Sequence, residues 1–597
     1  MTKIRVADVV IRFLENLGIE TIFTVTGGGA MFLNDACAGS KKIKTICNHH
    51  EQACAMAAVG YSKMKNSYGA TVLTTGCGAT NSLTGLLDAW QDNNPVIFIS
   101  GQVKRKETTH NAKVPLRQFG VQEANIVEIV KSITKYSIMI NRPEDILYCL
   151  QKAAFEAMHM RPGPVWIDIP LDVQGALVDY SKLKQFKAPK KSLPLPTLNQ
   201  IDSLKKALIK SKRPIILAGN GIRLGNAINQ FKDFLKKTNI PYVTSYLAVD
   251  LLPNTHKQYI GRLGIKGDRA GNFSIQNADL VISIGCHLSV ALTGFEYNLF
   301  VREAKLFVID IDKNEHKKNT VKIDKFIHSD VKNFFNRFNA EYDFKDWLKV
   351  CVRWKNQWPV CLPEYQTQKK LINKYAFINT MQKALKKNSV VVSDAGSSYY
   401  VTSQSFQPTR DQRYITSGAQ ADMGFTLPAS IGVAFANKNS MVVGITGDGS
   451  FQMNIQELQT LVHHNIPIKL VVWNNNGYLS IRTTQKKFFS GREIGTDDES
   501  GVSFPETKKI ALAYSIPYFS SKSIKTLQKT LLNAFKLEGP VIIEVFCPPM
   551  QEIIPTASSL KLADGRMISK PLEDMYPFLS REDFDAEMIN KPVKDSK

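Results

Sequence analysis

None of the nine cysteines (Cys37, Cys47, Cys54, Cys77, Cys149, Cys286, Cys351, Cys361, Cys547) stands in a CxxC pair, so neither a zinc site nor a disulfide framework is indicated. No run of about 18 apolar residues occurs, and Met1 to Asp8 leads into an amphipathic pattern in place of a signal-peptide block. A cytoplasmic protein without a membrane partner is expected. Low-complexity tracts are missing too; 44% hydrophobic and 22% charged residues make the balance of an ordinary folded enzyme. The net charge of +23 raises nucleic-acid binding, but the lysines are spread in short pairs such as Lys41-Lys42 and Lys508-Lys509, without a basic stripe interleaved with aromatics. Nucleic acid is therefore not the expected partner, and an anionic substrate or a lysine-rich proteome accounts for the charge.

At 597 residues the chain is too long for one core and should divide into about three domains. Apolar runs at Ile22–Val25, Ala70–Thr74 and Pro95–Ser100 read as strands alternating with helical periodicity, the pattern of a parallel sheet covered by helices. Further strands are expected at Pro214–Ala218, Leu280–Ile284 and Leu306–Ile309, then at Val390–Ser393, Met441–Ile445, Ile468–Trp473 and Val541–Phe546. The fold class is α/β, with three consecutive doubly wound parallel-sheet domains at 1–180, 190–345 and 370–555 and a tail at 556–597. A Lys/Pro-rich stretch at 187–196 cannot continue helix or central strand and reads as a linker.

The most informative segment is Met441 to Phe451, an apolar strand ending in Gly447-Asp448-Gly449 with a helix opening at Ser450. Glycines allow close backbone approach, a helix N-terminus offers N–H groups to phosphate, and an aspartate can hold a divalent cation. A second strand ends in Asn474-Asn475-Asn476-Gly477, which puts neutral oxygen ligands at the carboxyl end of a neighbouring strand, where ligands gather. Asp448, Asn475 and the Gly477 carbonyl would leave room for diphosphate oxygens around Mg²⁺. Each segment alone is more often a plain turn.

Together, with Asn475 following Asp448 by 27 positions, they match the thiamine-diphosphate enzyme motif, and the first 550 residues or so resemble the acetolactate synthase group. That resemblance implies a pyrimidine-binding domain, a central domain and a diphosphate-binding domain, in that order. His50-Glu51-Gln52-Ala53 looks like the catalytic-glutamate segment, so Glu51 should meet N1′ of the aminopyrimidine; its small apolar neighbours suit a buried carboxyl. Thr75 to Asn81 resembles the turn beside the cofactor, and Gly27-Gly28-Gly29 the backbone loop near the reacting centre. Within Gly418 to Pro428, Met423 matches the apolar wedge that bends the cofactor and the Ala421 carbonyl the acceptor for its 4′-amino group. Asp394-Ala395-Gly396-Ser397-Ser398 resembles the first diphosphate turn, with Ser397 and Ser398 as donors, and Gly447, Gly449 and Ser450 complete the cofactor set.

Departures from the pattern bear on the substrate. Ile481 stands where decarboxylases of the superfamily carry a proton-donating glutamate, so ligation is favoured over release of aldehyde. Gln122 matches the active-site glutamine, beside an inserted stretch from Thr108 to Gly120. Ala291 replaces an arginine that pairs with the second oxo acid's carboxylate, and Thr484 a tryptophan that selects the acceptor. The expectation is a carboligase that decarboxylates a 2-oxo acid, pyruvate first, and passes the two-carbon unit to a carbonyl acceptor, with a nucleotide-linked keto sugar favoured. Acetolactate synthesis or simple decarboxylation remains the alternative. Leu263 to Gly267 and Ile309 to Asp312 resemble the group's FAD-binding domain, yet His287 and Ala291 replace two of its arginines, which leaves FAD and a flavin-free scaffold both open. The resemblance further implies a homodimer or homotetramer.

Overall fold

Three six-stranded sheets, each parallel throughout, follow one another along the chain. The computed structural model describes residues 3–189, 192–368, 370–561 and 567–593. Of the expected linker, 190 and 191 lie outside the described residues, as do 562–566 and 594–597 of the tail.

The first sheet runs Lys44–Cys47, Thr21–Thr24, Gly69–Leu73, Val96–Gln102, Val165–Pro170, Tyr136–Met139. The third runs Arg413–Thr416, Val390–Ser393, Val442–Gly447, Ile468–Asn474, Val541–Phe546, Tyr518–Ser521. Numbered by appearance, both have the order 2-1-3-4-6-5, which puts the topological switch between strands 1 and 3. The central sheet, built on Pro214–Ala218 and Leu280–Ile284, has the order 3-2-1-4-5-6 and its switch between those two strands. Inner strands are buried along all or nearly all of their length, as a sheet covered on both faces requires.

Helix Glu51–Lys65 of the first unit packs on helix Thr426–Ala436 of the third. Small residues make this close crossing: a Cβ on Gly60 would stand 2.4 Å from the Ala429 carbonyl oxygen, and one on Gly432 would stand 1.9 Å from that of Ala57. A single apolar cluster therefore runs through both units, from Phe23 and Met56 to Phe425 and Leu470.

The tail, about whose packing the sequence is silent, docks on the central unit. Strand Thr556–Ala557 pairs antiparallel with Met575–Tyr576, and helix Arg581–Glu587 seats Phe584 against Phe273 with ring centroids 5.9 Å apart. Glu573, fully buried, forms an ion pair with Arg302 at 2.7 Å. Among the described residues no helix is long and apolar enough to cross a membrane.

Candidate active site

Both switch points carry the segments singled out in the sequence. In the third unit, Asp394 to Ser398 leaves strand 1 and Gly447 to Ser450 leaves strand 3. The second helix opens at Asp448, two residues before the position expected, and runs only to Phe451. Gly447 is its N-cap, so the Asp448 carboxyl lies inside the first turn, where the unpaired N–H groups favour negative charge.

The Asp448 carboxylate is the hub. Oδ2 accepts from the backbone N–H of Asn475 and of Gly477, each at 3.0 Å, and Oδ1 accepts from that of Gly449 at 2.9 Å. Asn475 Nδ2 donates to the Gly477 carbonyl at 2.6 Å. Burial raises the Asp448 pKa against these donors, and a cation beside it would reverse that shift. Gly477 is a position only glycine can fill, since at φ 123° a Cβ would meet the Thr496 carbonyl oxygen at 2.0 Å. One carboxylate, one amide oxygen and one carbonyl converge as hard oxygen donors, a set that fits Mg²⁺.

Asp394, quoted in the sequence motif without a role, is the second hub. It is fully buried, its pKa is raised by that burial, and it accepts from the hydroxyls of Ser398 at 2.5 Å, Ser450 at 2.6 Å and Thr446 at 2.7 Å. The hydroxyls of Ser398 and Ser450 are thus committed to Asp394, and a diphosphate would meet the backbone N–H groups of helix Gly396–Ser405 and of the Asp448 turn. Ser397 is buried in that first turn. Behind the site lies Lys374, fully buried, its amine without a hydrogen-bond partner among the described residues and its pKa lowered by burial. Nothing in the sequence marks it.

Ala421 and Met423 follow strand Arg413–Thr416. Ala421 holds φ 54°, an unusual left-handed conformation for a residue with a Cβ, and such strain gathers at functional positions. Gln122 shows the same, with φ 59°.

In the first unit, Glu51 opens its helix and is 8% exposed; Oε2 accepts from Asn81 Nδ2 at 2.9 Å. Gln102 ties the neighbouring segments together, accepting from Thr75 Oγ1 at 2.7 Å and donating to the Ala124 carbonyl at 2.9 Å and to buried Asp168 at 3.1 Å. The inserted stretch before Gln122 is held by Glu123, which accepts from the N–H groups of Thr109 at 2.7 Å and Gly120 at 2.8 Å. Among the described residues no hydrogen bond or ion pair joins Glu51 or Gln122 to Asp448, Asn475 or Met423. Glu51 and Gln122 thus belong to the first unit, and Asp448, Asn475 and Met423 to the third.

The central unit holds a cavity of about 630 Å³ at the carboxyl ends of its strands, lined by Gly221, Gly285, His287, Ala291 and Asp310, with Arg161 entering from the first unit. Asp310 is pushed up to about 6 by burial.

Family models agree with this division. "Thiamine pyrophosphate enzyme, N-terminal TPP binding domain" matches residues 4–129, the central domain of the same family matches 201–338, and its C-terminal TPP binding domain matches 394–545. The acetolactate synthase large subunit of Lactococcus lactis subsp. lactis is 32% identical over 563 residues, covering 92% of this chain and 93% of that protein. This chain belongs to the thiamine pyrophosphate enzymes. Within that family it is an acetolactate synthase-like carboligase dependent on the cofactor. A probable acetolactate synthase large subunit of Methanocaldococcus jannaschii is 30% identical, covering 92% of each chain, and the chloroplastic acetolactate synthase of Arabidopsis thaliana is 28% identical over 93% of this chain and 83% of its own. As a thiamine pyrophosphate enzyme the chain accounts for its paired switch points: each terminal unit offers one crevice, and one cofactor has two ends to be held.

Proposed function

We propose that this chain decarboxylates pyruvate and joins the two-carbon unit to a second carbonyl compound, with a second 2-oxo acid, as in the acetolactate synthases it resembles, as the first acceptor to test. The observation that carries this is the convergence of Asp448, Asn475 and Gly477 at one strand end. These residues would hold Mg²⁺ and, with the N–H groups of Gly396, Ser397, Ser398, Gly449 and Ser450, the diphosphate. When bound, thiamine diphosphate supplies the carbon nucleophile and the electron sink that loss of CO₂ requires. Glu51 would hold a proton against the ring nitrogen N1′, Met423 would press the cofactor into its bent shape, and the Ala421 carbonyl would accept from the 4′-amino group. Ile481, half exposed on helix Leu479–Phe488, has no proton to give, which suits ligation over aldehyde release. Gln122 stands by the acceptor.

A second reading, a nucleotide-linked keto sugar as acceptor, rests on Ala291, which has no charge to pair with a carboxylate, and on Thr484, which stands in place of the acceptor-selecting tryptophan and is exposed with its hydroxyl turned back to Ser480 O at 3.0 Å. The named relatives favour the first reading. The central cavity has the size and the acidic residue after a strand that suit FAD, and close approach of Gly219 and Gly221 to Gly285 gives a backbone floor for its phosphates. Exposed apolar residues flank both halves of the site, including Val121, Phe119, Met453 and Phe489; a homodimer in which each copy lends one half would cover them.

CO₂ release from pyruvate with thiamine diphosphate and Mg²⁺, followed by product mass with and without keto sugars, tests these readings. Acetolactate formed at full rate from pyruvate alone establishes the first; a sugar adduct heavier by two carbons, with little acetolactate, replaces it by the second.

A further inference from the structure

Two buried carboxylates cross the boundary between the first and third units in opposite directions, and each ends on backbone next to a proposed cofactor segment. Glu457, fully buried in the third unit, accepts from the His49 N–H at 2.9 Å and from Asn48 Nδ2 at 2.7 Å, with its own neighbour Thr460 Oγ1 at 2.7 Å. Those contacts fix the turn that leads through the N-cap His50 into Glu51. Asp92, 2% exposed in the first unit, accepts from the N–H groups of Gly418 at 2.7 Å and Ala419 at 3.0 Å, on the segment that leads into Ala421 and Met423. Lys63 holds Asp92 in place, at 2.7 Å, and donates to the Thr416 carbonyl, again at 2.7 Å.

We propose that Glu457 and Asp92 are positioning residues: Glu457 sets the placement of Glu51, and Asp92 sets the placement of the Ala421–Met423 segment. The assignment rests on the thiamine-diphosphate reading of those segments. A hydrogen bond from a backbone N–H to a buried charged acceptor is short and strongly directional, so it fixes a loop more tightly than neutral contacts do. Because the two carboxylates serve different ends of the cofactor, their loss has different consequences. Misplacing Glu51 slows proton movement at the ring; loosening the Ala421–Met423 segment weakens the hold on the cofactor.

The isosteric variants Glu457→Gln and Asp92→Asn each put an N–H donor where a donor is already aimed. In Glu457→Gln, deuterium exchange at the cofactor's C2 position is expected to slow by about tenfold to a hundredfold, the scale of a small misplacement, while half-saturating thiamine diphosphate stays near the wild-type value. In Asp92→Asn the half-saturating concentration is expected to rise by about tenfold, while exchange at saturation changes little. Without cofactor, amide exchange followed by mass spectrometry should rise in residues 44–56 for the first variant and in 413–425 for the second. If either variant fails to fold, Asn48→Ser and Lys63→Arg keep both carboxylates and should move the same readouts in the same directions by less. Lowered melting temperature with unchanged C2 exchange and half-saturation, or both readouts moving together in both variants, overturns the proposal. A wild-type protein with no cofactor-dependent C2 exchange would instead sink the thiamine-diphosphate reading itself.

Discussion

At the scale of single residues, chemistry and burial decide what each group can do. Asp448 accepts three backbone N–H groups, so Asp448→Asn would aim an amide donor at one of them and remove the charge that a cation needs. We expect half-saturating Mg²⁺ to rise at least about tenfold, read from Mg²⁺ titration of CO₂ release. Asp168 is a carboxyl of another kind: burial pushes it up to about 7, against hydrogen bonds from Ser100 and Gln102. A raised carboxyl pKa means that the folded state binds the proton more tightly than the unfolded chain does. The stability this contributes is complete below the ordinary carboxyl value of 3.8 and is lost as pH rises to about 7. Asp168→Asn should therefore flatten the stability profile between those limits, where the wild type loses up to about 1.4 kcal/mol per pH unit. Denaturant midpoints measured across that range check it, and a parallel decline in both proteins would refute it. Asp448, Asn475 and Glu51 were legible in the sequence because motif residues with fixed spacing signal a shared backbone geometry. Asp394 stood inside a quoted motif without a role, since only the structure shows three hydroxyls turning to it. Lys374, Asp92 and Glu457 left no signal, because the partners of the last two lie far away in the chain and the Lys374 amine has no hydrogen-bond partner among the described residues.

Among the elements, the inner strands were the readable ones. Pro214–Ala218, Leu280–Ile284, Val390–Ser393 and Val541–Phe546 fall where the apolar runs put them, since a strand covered on both faces is apolar at nearly every position. All six edge strands escaped notice, among them Lys44–Cys47 and Lys325–His328, which are short and half exposed and so alternate too weakly to be told from loop. The inner strands Val165–Pro170 and Tyr242–Thr244 escaped as well; the first carries Asp168 in its middle and a proline at its end, and the second is only three residues long. The crossing of helices Glu51–Lys65 and Thr426–Ala436 depends on the absence of side chains at Gly60 and Gly432. Gly432→Val would drive a side chain into the Ala57 carbonyl and push the helices apart. A cost of about 1–3 kcal/mol is expected, seen as a lowered melting temperature together with weaker cofactor binding, because the helix that would be pushed away, Glu51–Lys65, presents Glu51.

For the whole molecule, apolar side chains such as Phe119, Val121 and Phe489 are left exposed, and the tail closes on the central unit. Sedimentation equilibrium should give a mass of at least twice the 66.8 kDa chain, and a monomer with full activity would contradict a site shared between copies. Phe584→Ala should cost about 3–5 kcal/mol by opening a gap against Phe273 and Trp354, visible as a red shift in tryptophan emission. By itself the sequence determined the alternation of strand and helix and the number of sheets, and it singled out the candidate cation-binding residues, because periodicity and motif spacing are local and survive without knowledge of the fold. The tertiary structure alone decided strand order, the docking of the tail, the commitment of Ser398 and Ser450 to Asp394, and the crossed contacts of Glu457 and Asp92. Those depend on which distant segments meet, and meeting is settled by the burial of shared apolar surface, which no single stretch of chain contains.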